Sequence, residues 1–276
     1  MNAATKLAAF AAGLALLFGG AAVAGGAIGP EPSEDAPQEH TEMTSAHAPD
    51  PVRGLAIAAD GLRVVVDDAE LRRGREETLS FRIEDASGQI VRDFDVEHEK
   101  RMHLILARRD LTGFQHLHPE QAADGSWRTP VRLGDAGSYR LFADFSHDGE
   151  NQTLATDLRV DGPADLRPLP EPAATAVSDG GYDVRLDAGA ARPGQEADLR
   201  FTITKDGEPV RTEPYLGAGG HLVALRDGDL AFLHVHPMDD SVRFAATFPT
   251  EGRYRLFLQF KHESRVHTVA FTQEVS

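Results

Sequence analysis

The sequence predicts an all-β protein: two tandem antiparallel β-sandwiches, immunoglobulin-like or cupredoxin-like, behind an N-terminal signal or anchor. Three observations carry this. First, the stretch RMHLILARRDLTGFQHLHP (101–119) returns as GHLVALRDGDLAFLHVHP (220–237), so that His103, His116 and His118 are matched by His221, His234 and His236 at a constant offset of 118 residues. Self-similarity at a fixed offset marks a duplicated unit. Second, apolar residues alternate with polar ones at the period of a half-buried strand, as in Leu79, Phe81 and Ile83. Third, turn signals such as Ser87-Gly88 separate these runs, and no helix-period segment of useful length intervenes.

The opening of the chain reads as an export segment. Lys6 is followed by an uncharged, apolar and glycine-rich run to Ile28, with Ala22-Val23-Ala24 as a small-x-small cleavage site. The run is also long enough to span a bilayer, which takes about 20 residues, so a cleaved signal and an uncleaved anchor both stay open for residues 1–28. Charge placement puts the remainder outside the cytoplasm, secreted or held at the plasma membrane by this segment. Residues 29–54 form an acidic, proline-rich tether with too few apolar groups to fold. Its His40, Met43 and His47 read as members of a solvated linker, or as loose ligands for a metal.

The chain has no cysteine, which excludes disulfides, thiolate metal sites, cysteine nucleophiles and a diacylglyceryl anchor. A formal charge of -16 argues against binding to nucleic acid or to anionic lipid. The length of 276 residues suits two domains, each large enough to bury a core.

The first domain spans residues 55–160. Leu62 to Val66 is a short strand, and the turn at Arg73-Gly74 leads into the alternating strand through Phe81. Val91, Phe94 and Val96 predict an irregular strand. Met102, Leu104 and Leu106 form the core face of the next strand, whose other face carries His103. His116 and His118, two residues apart on a strand, share a side, with Leu117 opposite. Strands from Ser138 to Phe145 and from Thr153 to Val160 close the domain. Residues 161–179, with four prolines, form a semi-stiff linker, so the halves are expected to be separable.

The second domain, 180–276, repeats this order. Tyr182 to Leu186 opens it, Pro193-Gly194 matches Arg73-Gly74, and Leu199, Phe201 and Ile203 match Leu79, Phe81 and Ile83. The run Gly252 to Phe257 matches Gly137 to Phe142. His262 matches His147, and His267 stands in place of Gln152.

Histidines at these spacings point to a transition metal, copper or zinc. The candidate ligands are His103, His116 and His118 in the first domain, and His221, His234, His236, His262 and His267 in the second, with Met238 as a thioether donor for copper. Met102 reads as core. The second domain, with the larger set, is expected to bind more tightly. Ligation needs deprotonated imidazole, so occupancy is expected to fall below about pH 6.5. The competing reading makes the histidines hydrogen-bonded struts of a scaffold that contacts an envelope protein partner. No serine elbow, phosphate loop, dinucleotide fingerprint or zinc-protease helix motif is present, so the reading is not an enzyme.

The run His-Leu-x-x-Leu followed by Asp-Leu-x-x-Phe-x-His-x-His-Pro, with Gly-x-Tyr-Arg-Leu-Phe later, resembles actinobacterial secreted or membrane-anchored heavy-metal-binding-like proteins of the YtkA-like kind. The matching residues are His103, Leu104, Asp110, Leu111, Phe114, His116, His118 and Pro119, and in the second half His221, Leu222, Asp229, Leu230, Phe232, His234, His236 and Pro237. The resemblance implies an extracytoplasmic sandwich domain and a bound transition metal, copper or another.

Overall fold

Alternation in the sequence becomes strands in the structure, a computed structural model that describes residues 52–276 apart from 234, 239 and 240. The signal or anchor, nearly all of the tether with His40, Met43 and His47, and His234 lie outside the described residues; of His236 only the backbone is described. In the first sandwich the strands are β1 (Ala58–Ala59), β2 (Leu62–Val66), β3 (Glu70–Leu71), β4 (Glu76–Asp85), β5 (His103–Arg108), β6 (Gln115–Leu117), β7 (Glu120–Gln121), β8 (Trp127–Arg132), β9 (Gly137–His147) and β10 (Glu150–Val160). In the second they are β11 (Thr175–Val177), β12 (Asp183–Asp187), β13 (Glu196–Lys205), β14 (Glu208–Pro209), β15 (His221–Arg226), β16 (Phe232–Leu233), β17 (His236–Pro237), β18 (Arg243–Thr247), β19 (Gly252–His262) and β20 (Arg265–Val275). No helix occurs among the described residues.

Each sandwich is two sheets. The first pairs the order β1-β2-β4-β8-β7 with β3-β10-β9-β5-β6; the second pairs β11-β12-β13-β18-β17 with β16-β15-β19-β20. Strand neighbours are antiparallel except β3 beside β10. One face of each sheet builds the core. Leu79, Phe81 and Ile83 of β4 meet Leu104 and Leu106 of β5 and Leu141 of β9. Their repeats Leu199, Phe201 and Ile203 meet Leu222, Ala224 and Leu256. Burying one such side chain contributes about 1.5–3 kcal/mol.

Four local features differ from the sequence reading. No strand forms over Val91 to Val96. The chain there crosses the end of the sandwich, with the Val91 amide donating to Ile83 O (2.9 Å) and that of Asp95 to Ser146 O (3.0 Å). Phe94 is buried all the same, edge-on to Trp127 at 5.2 Å and Phe145 at 5.3 Å. The strand β8 is unannounced because Pro130 interrupts its sequence pattern, although Pro130 points outward and Trp127, Thr129 and Val131 inward. The second sandwich begins at β11, which pairs with β12, so the linker ends near residue 174.

The fourth difference places the site. All six residues of β5 are buried, not one face of them. Ile105 and Ala107, which share a face with His103, pack with Phe142 and Ala155 against Val223, Leu225, Phe232 and Phe257 of the second sandwich. The described residues thus fall in one compact unit, with a third apolar cluster along the seam. Contacts across the seam are reciprocal under the repeat. Phe114 stacks on Phe257 at 4.1 Å, and their counterparts Phe232 and Phe142 meet at 5.6 Å. Gly54, the end of the predicted tether, is wedged between the second pair. It has φ +71°, and a Cβ there would stand 2.7 Å from the Phe232 Cβ and 2.8 Å from the Phe142 ring. Only glycine fits such an approach.

Candidate metal centre

The histidine face of β5 opens onto this seam. Register pairs Leu104 with Leu117 and Ile105 with His116, which brings His103 beside His118 at the end of the β5–β6 hairpin. One ligand nitrogen from each of His103, His116 and His118 lies within 4.8 Å of the other two. The ring centroids are 5.3 Å (His103–His116), 5.1 Å (His103–His118) and 4.8 Å (His116–His118) apart. Imidazoles on one tetrahedral ion, with metal–nitrogen bonds of about 2.0–2.1 Å, place their centroids about 5 Å apart.

Hydrogen bonds orient the rings. His103 Nε2 donates to the Glu97 carbonyl (3.2 Å). His116 Nδ1 donates to Gln259 Oε1 (2.8 Å), while Gln259 Nε2 donates to Thr268 Oγ1 (3.3 Å). A neutral imidazole carries one N–H. With that N–H on the outer nitrogens, His103 Nδ1 and His116 Nε2, 3.0 Å apart, face each other as lone pairs; with it on an inner nitrogen, the same contact is a hydrogen bond. His118 adds a buried Nε2 with no hydrogen-bond partner among the described residues. Backbone or amide acceptors on the outer nitrogen are the usual device that fixes the tautomer of a metal-binding histidine.

The rings are neutral near pH 7. Burial pushes His103 down to about 4, with the charges of His98 and Lys100 adding and the Glu97 carbonyl opposing. Burial, then the His103 and Lys100 charges, takes His118 down to about 3. His116 lies well below the ordinary range, first through burial and then through its histidine neighbours. A site of this composition presents three neutral nitrogen donors and no thiolate, which fits zinc or copper.

From the second sandwich His221 reaches the same seam. Its ring centroid lies 6.2 Å from both His103 and His116. His262 and His267 do not join it. On β19 and β20, Gln259 pairs with His221 across the sheet, whereas Phe260 pairs with His267 and both face the core. The two histidines flank Tyr182 instead: its hydroxyl accepts from Lys205 and shares a hydrogen bond with His262 Nδ1 (2.9 Å), and His267 packs on the Tyr182 and Phe260 rings. The expectation of a larger cluster with His221 is corrected, because the pleat sends alternate residues to opposite faces. Met238 is 45% exposed, so the thioether is at the surface, and Met102 is in the core.

Two residues of the site escaped the sequence reading. His98 stands 4.9 Å from His221 and 6.2 Å from His103, ring to ring, on a backbone of φ 46° that no sequence signal announces. Gln259 was legible in principle, since it alternates with Leu258 and Phe260 and occupies the position of Asp144 in the repeat. Asp144 is the cross-strand partner of His103 as Gln259 is of His221. Burial raises the Asp144 carboxyl to about 6, against a hydrogen bond from Thr153.

A domain family described only as a domain of unknown function, DUF8832, matches residues 57–162 and again 175–276. The chain belongs to this family. The two matches coincide with the two sandwiches, so the internal repeat is a tandem pair of DUF8832 domains. The sequence matches no curated protein. Solved structures with a similar arrangement include the Escherichia coli adhesin FdeC (14% identity, 80% of this chain and 66% of that one, TM-score 0.29). Others are a Salmonella alpha-2-macroglobulin reacted with methylamine (14%, 83% and 15%, 0.29) and the Yersinia pseudotuberculosis adhesin InvE (10%, 79% and 60%, 0.25). The chain spans less than two thirds of each, and similarity at this level carries no argument about function.

Proposed function

We propose that this tandem DUF8832 protein is a non-enzymatic, extracytoplasmic binder of one transition-metal ion, zinc or copper, held by His103, His116 and His118. One observation carries the reading: two outer hydrogen bonds turn the His103 and His116 lone pairs toward each other beside the unpartnered His118 nitrogen. Facing lone pairs repel unless a cation or a proton lies between them. The YtkA-like motif residues and the export-type N terminus agree with this. The test is elemental analysis of the purified full chain, with Zn²⁺ and Cu²⁺ titrations of the parent and of His116→Gln/His118→Gln. One ion per chain, lost in the double variant, is the expected result. No binding by the parent at micromolar metal refutes the reading.

The 3.0 Å separation also admits a second reading, in which a shared proton joins His103 to His116 as a strut of the seam. The protein would then serve as an envelope scaffold. In that case the double variant loses its cooperative unfolding transition in chelator, where the metal reading leaves that transition in place.

A further inference from the structure

We propose that His221, carried by the second sandwich, is the fourth ligand of the centre formed by His103, His116 and His118, so that one metal ion bridges the two domains. The inference rests on the metal reading above and adds where the site ends and what occupancy does.

His221 is prepared as His103 is. Its Nε2 donates to the Leu216 carbonyl (3.3 Å), as His103 Nε2 does to that of Glu97. The Nδ1 lone pair is left for a ligand role, and no described residue hydrogen-bonds it. The His221 ring lies within 20° of parallel to His103, at a centroid distance of 6.2 Å. Rings sharing a tetrahedral ion sit about 5 Å apart, so an approach of about 1 Å brings His221 to that spacing from His103 and His116. A cavity of about 30 Å³ lies between them, lined by His98, His103, His116, His221 and Asp144 together with apolar residues such as Ile105 and Phe232, but not by His118. That is room for about one water or one ion. The second sandwich already serves the centre through Gln259, which is the cross-strand partner of His221 and orients His116.

His98 is the rival fourth ligand. Its ring is as far from His103 as that of His221, but it rides on a loop, whereas His221 sits on a strand at the position that repeats His103. A metal held from both sides fastens the seam and draws the sandwiches together, so occupancy sets how firmly the two domains are joined.

The test uses the full chain loaded with Zn²⁺ alone. X-ray absorption at the zinc edge counts the imidazoles, and a competition titration gives Kd. His221→Gln is the informative variant, because its amide can still donate to Leu216 while offering no imidazole; His221→Ala and His98→Gln are run beside it. The inference expects four imidazoles in the parent and in His98→Gln. It expects three in both His221 variants, with Kd weakened by at least the roughly 10- to 100-fold that loss of an orienting partner brings. Three imidazoles in the parent, with Kd unchanged in His221→Gln, overturns the bridge and leaves the three-histidine site standing. A fourth imidazole lost only in His98→Gln also overturns it. A parent that binds no zinc removes the metal reading and this inference together.

Discussion

At the scale of single residues, the centre depends on where each imidazole keeps its proton. The sequence supplied His103, His116 and His118 and the shared side of the last two, because strand alternation alone fixes that. It could not supply the outer acceptors, since Glu97 O comes from a loop and Gln259 from the other domain. Burial also revises the expected acid limit. In the unfolded chain these histidines titrate near 6.5. In the folded chain His103 and His221 titrate at about 4 and His118 at about 3, burial being the first cause of each. Between those values the unfolded state binds more protons, so stability falls as pH falls through that window and is fully present above it. Urea midpoints in chelator should drop steadily from pH 6.5 to 4.5, and the drop should shrink in His103→Gln/His221→Gln. A flat profile would contradict neutral buried rings. Proton competition with a metal should likewise begin nearer pH 4 than 6.5.

At the scale of elements, the Asp-Leu motif of both repeats forms a turn. Leu111 and Leu230 both adopt a left-handed backbone, φ 60° and 59°, and both are buried. Asp110 holds the first turn. It accepts from Arg108 Nε (2.9 Å) and Nη2 (2.6 Å), from Thr112 N (3.2 Å) and from Arg167 N (2.8 Å). Burial works against the Asp110 carboxylate, yet the Arg108 guanidinium and the other donors hold it down to about 2. Its stability contribution is therefore present above about pH 4 and lost as pH falls toward 2. The Arg108 and Asp110 side chains are 2% and 4% exposed, those of Arg226 and Asp229 17% and 42%. Asp110→Ala leaves a buried guanidinium unpaired and should cost about 3–5 kcal/mol. Asp229→Ala should cost within about 1 kcal/mol. Denaturant midpoints of the two variants check the ranking, and equal costs would mean that burial does not decide it. The repeat made both turns legible, but their unequal burial belongs to the packing, which the motif does not encode.

At the scale of the whole molecule, the proline-rich linker suggested independent halves, and the structure adds a shared apolar seam to their separate cores. The seam was hidden in the sequence because outward strand residues such as Ile105, Ala107 and Val223 read as surplus apolar positions until a partner sheet covers them. A protease site inserted among the exposed residues Glu171 to Ala174 should yield two pieces that stay together in gel filtration. Gly54→Ala should loosen that association, since its methyl group would collide with Phe142 and Phe232. Pieces that separate readily would show that the seam is weak. The most direct test of the metal centre at this seam is a long-range proton–nitrogen NMR spectrum of the histidine rings, without metal and with one equivalent of Zn²⁺. The account expects His103 protonated on Nε2 and His116 on Nδ1 before zinc, then large shifts of His103 Nδ1 and His116 Nε2 together with one nitrogen of His118. The opposite tautomers, or three rings whose nitrogen signals ignore the ion, would contradict it.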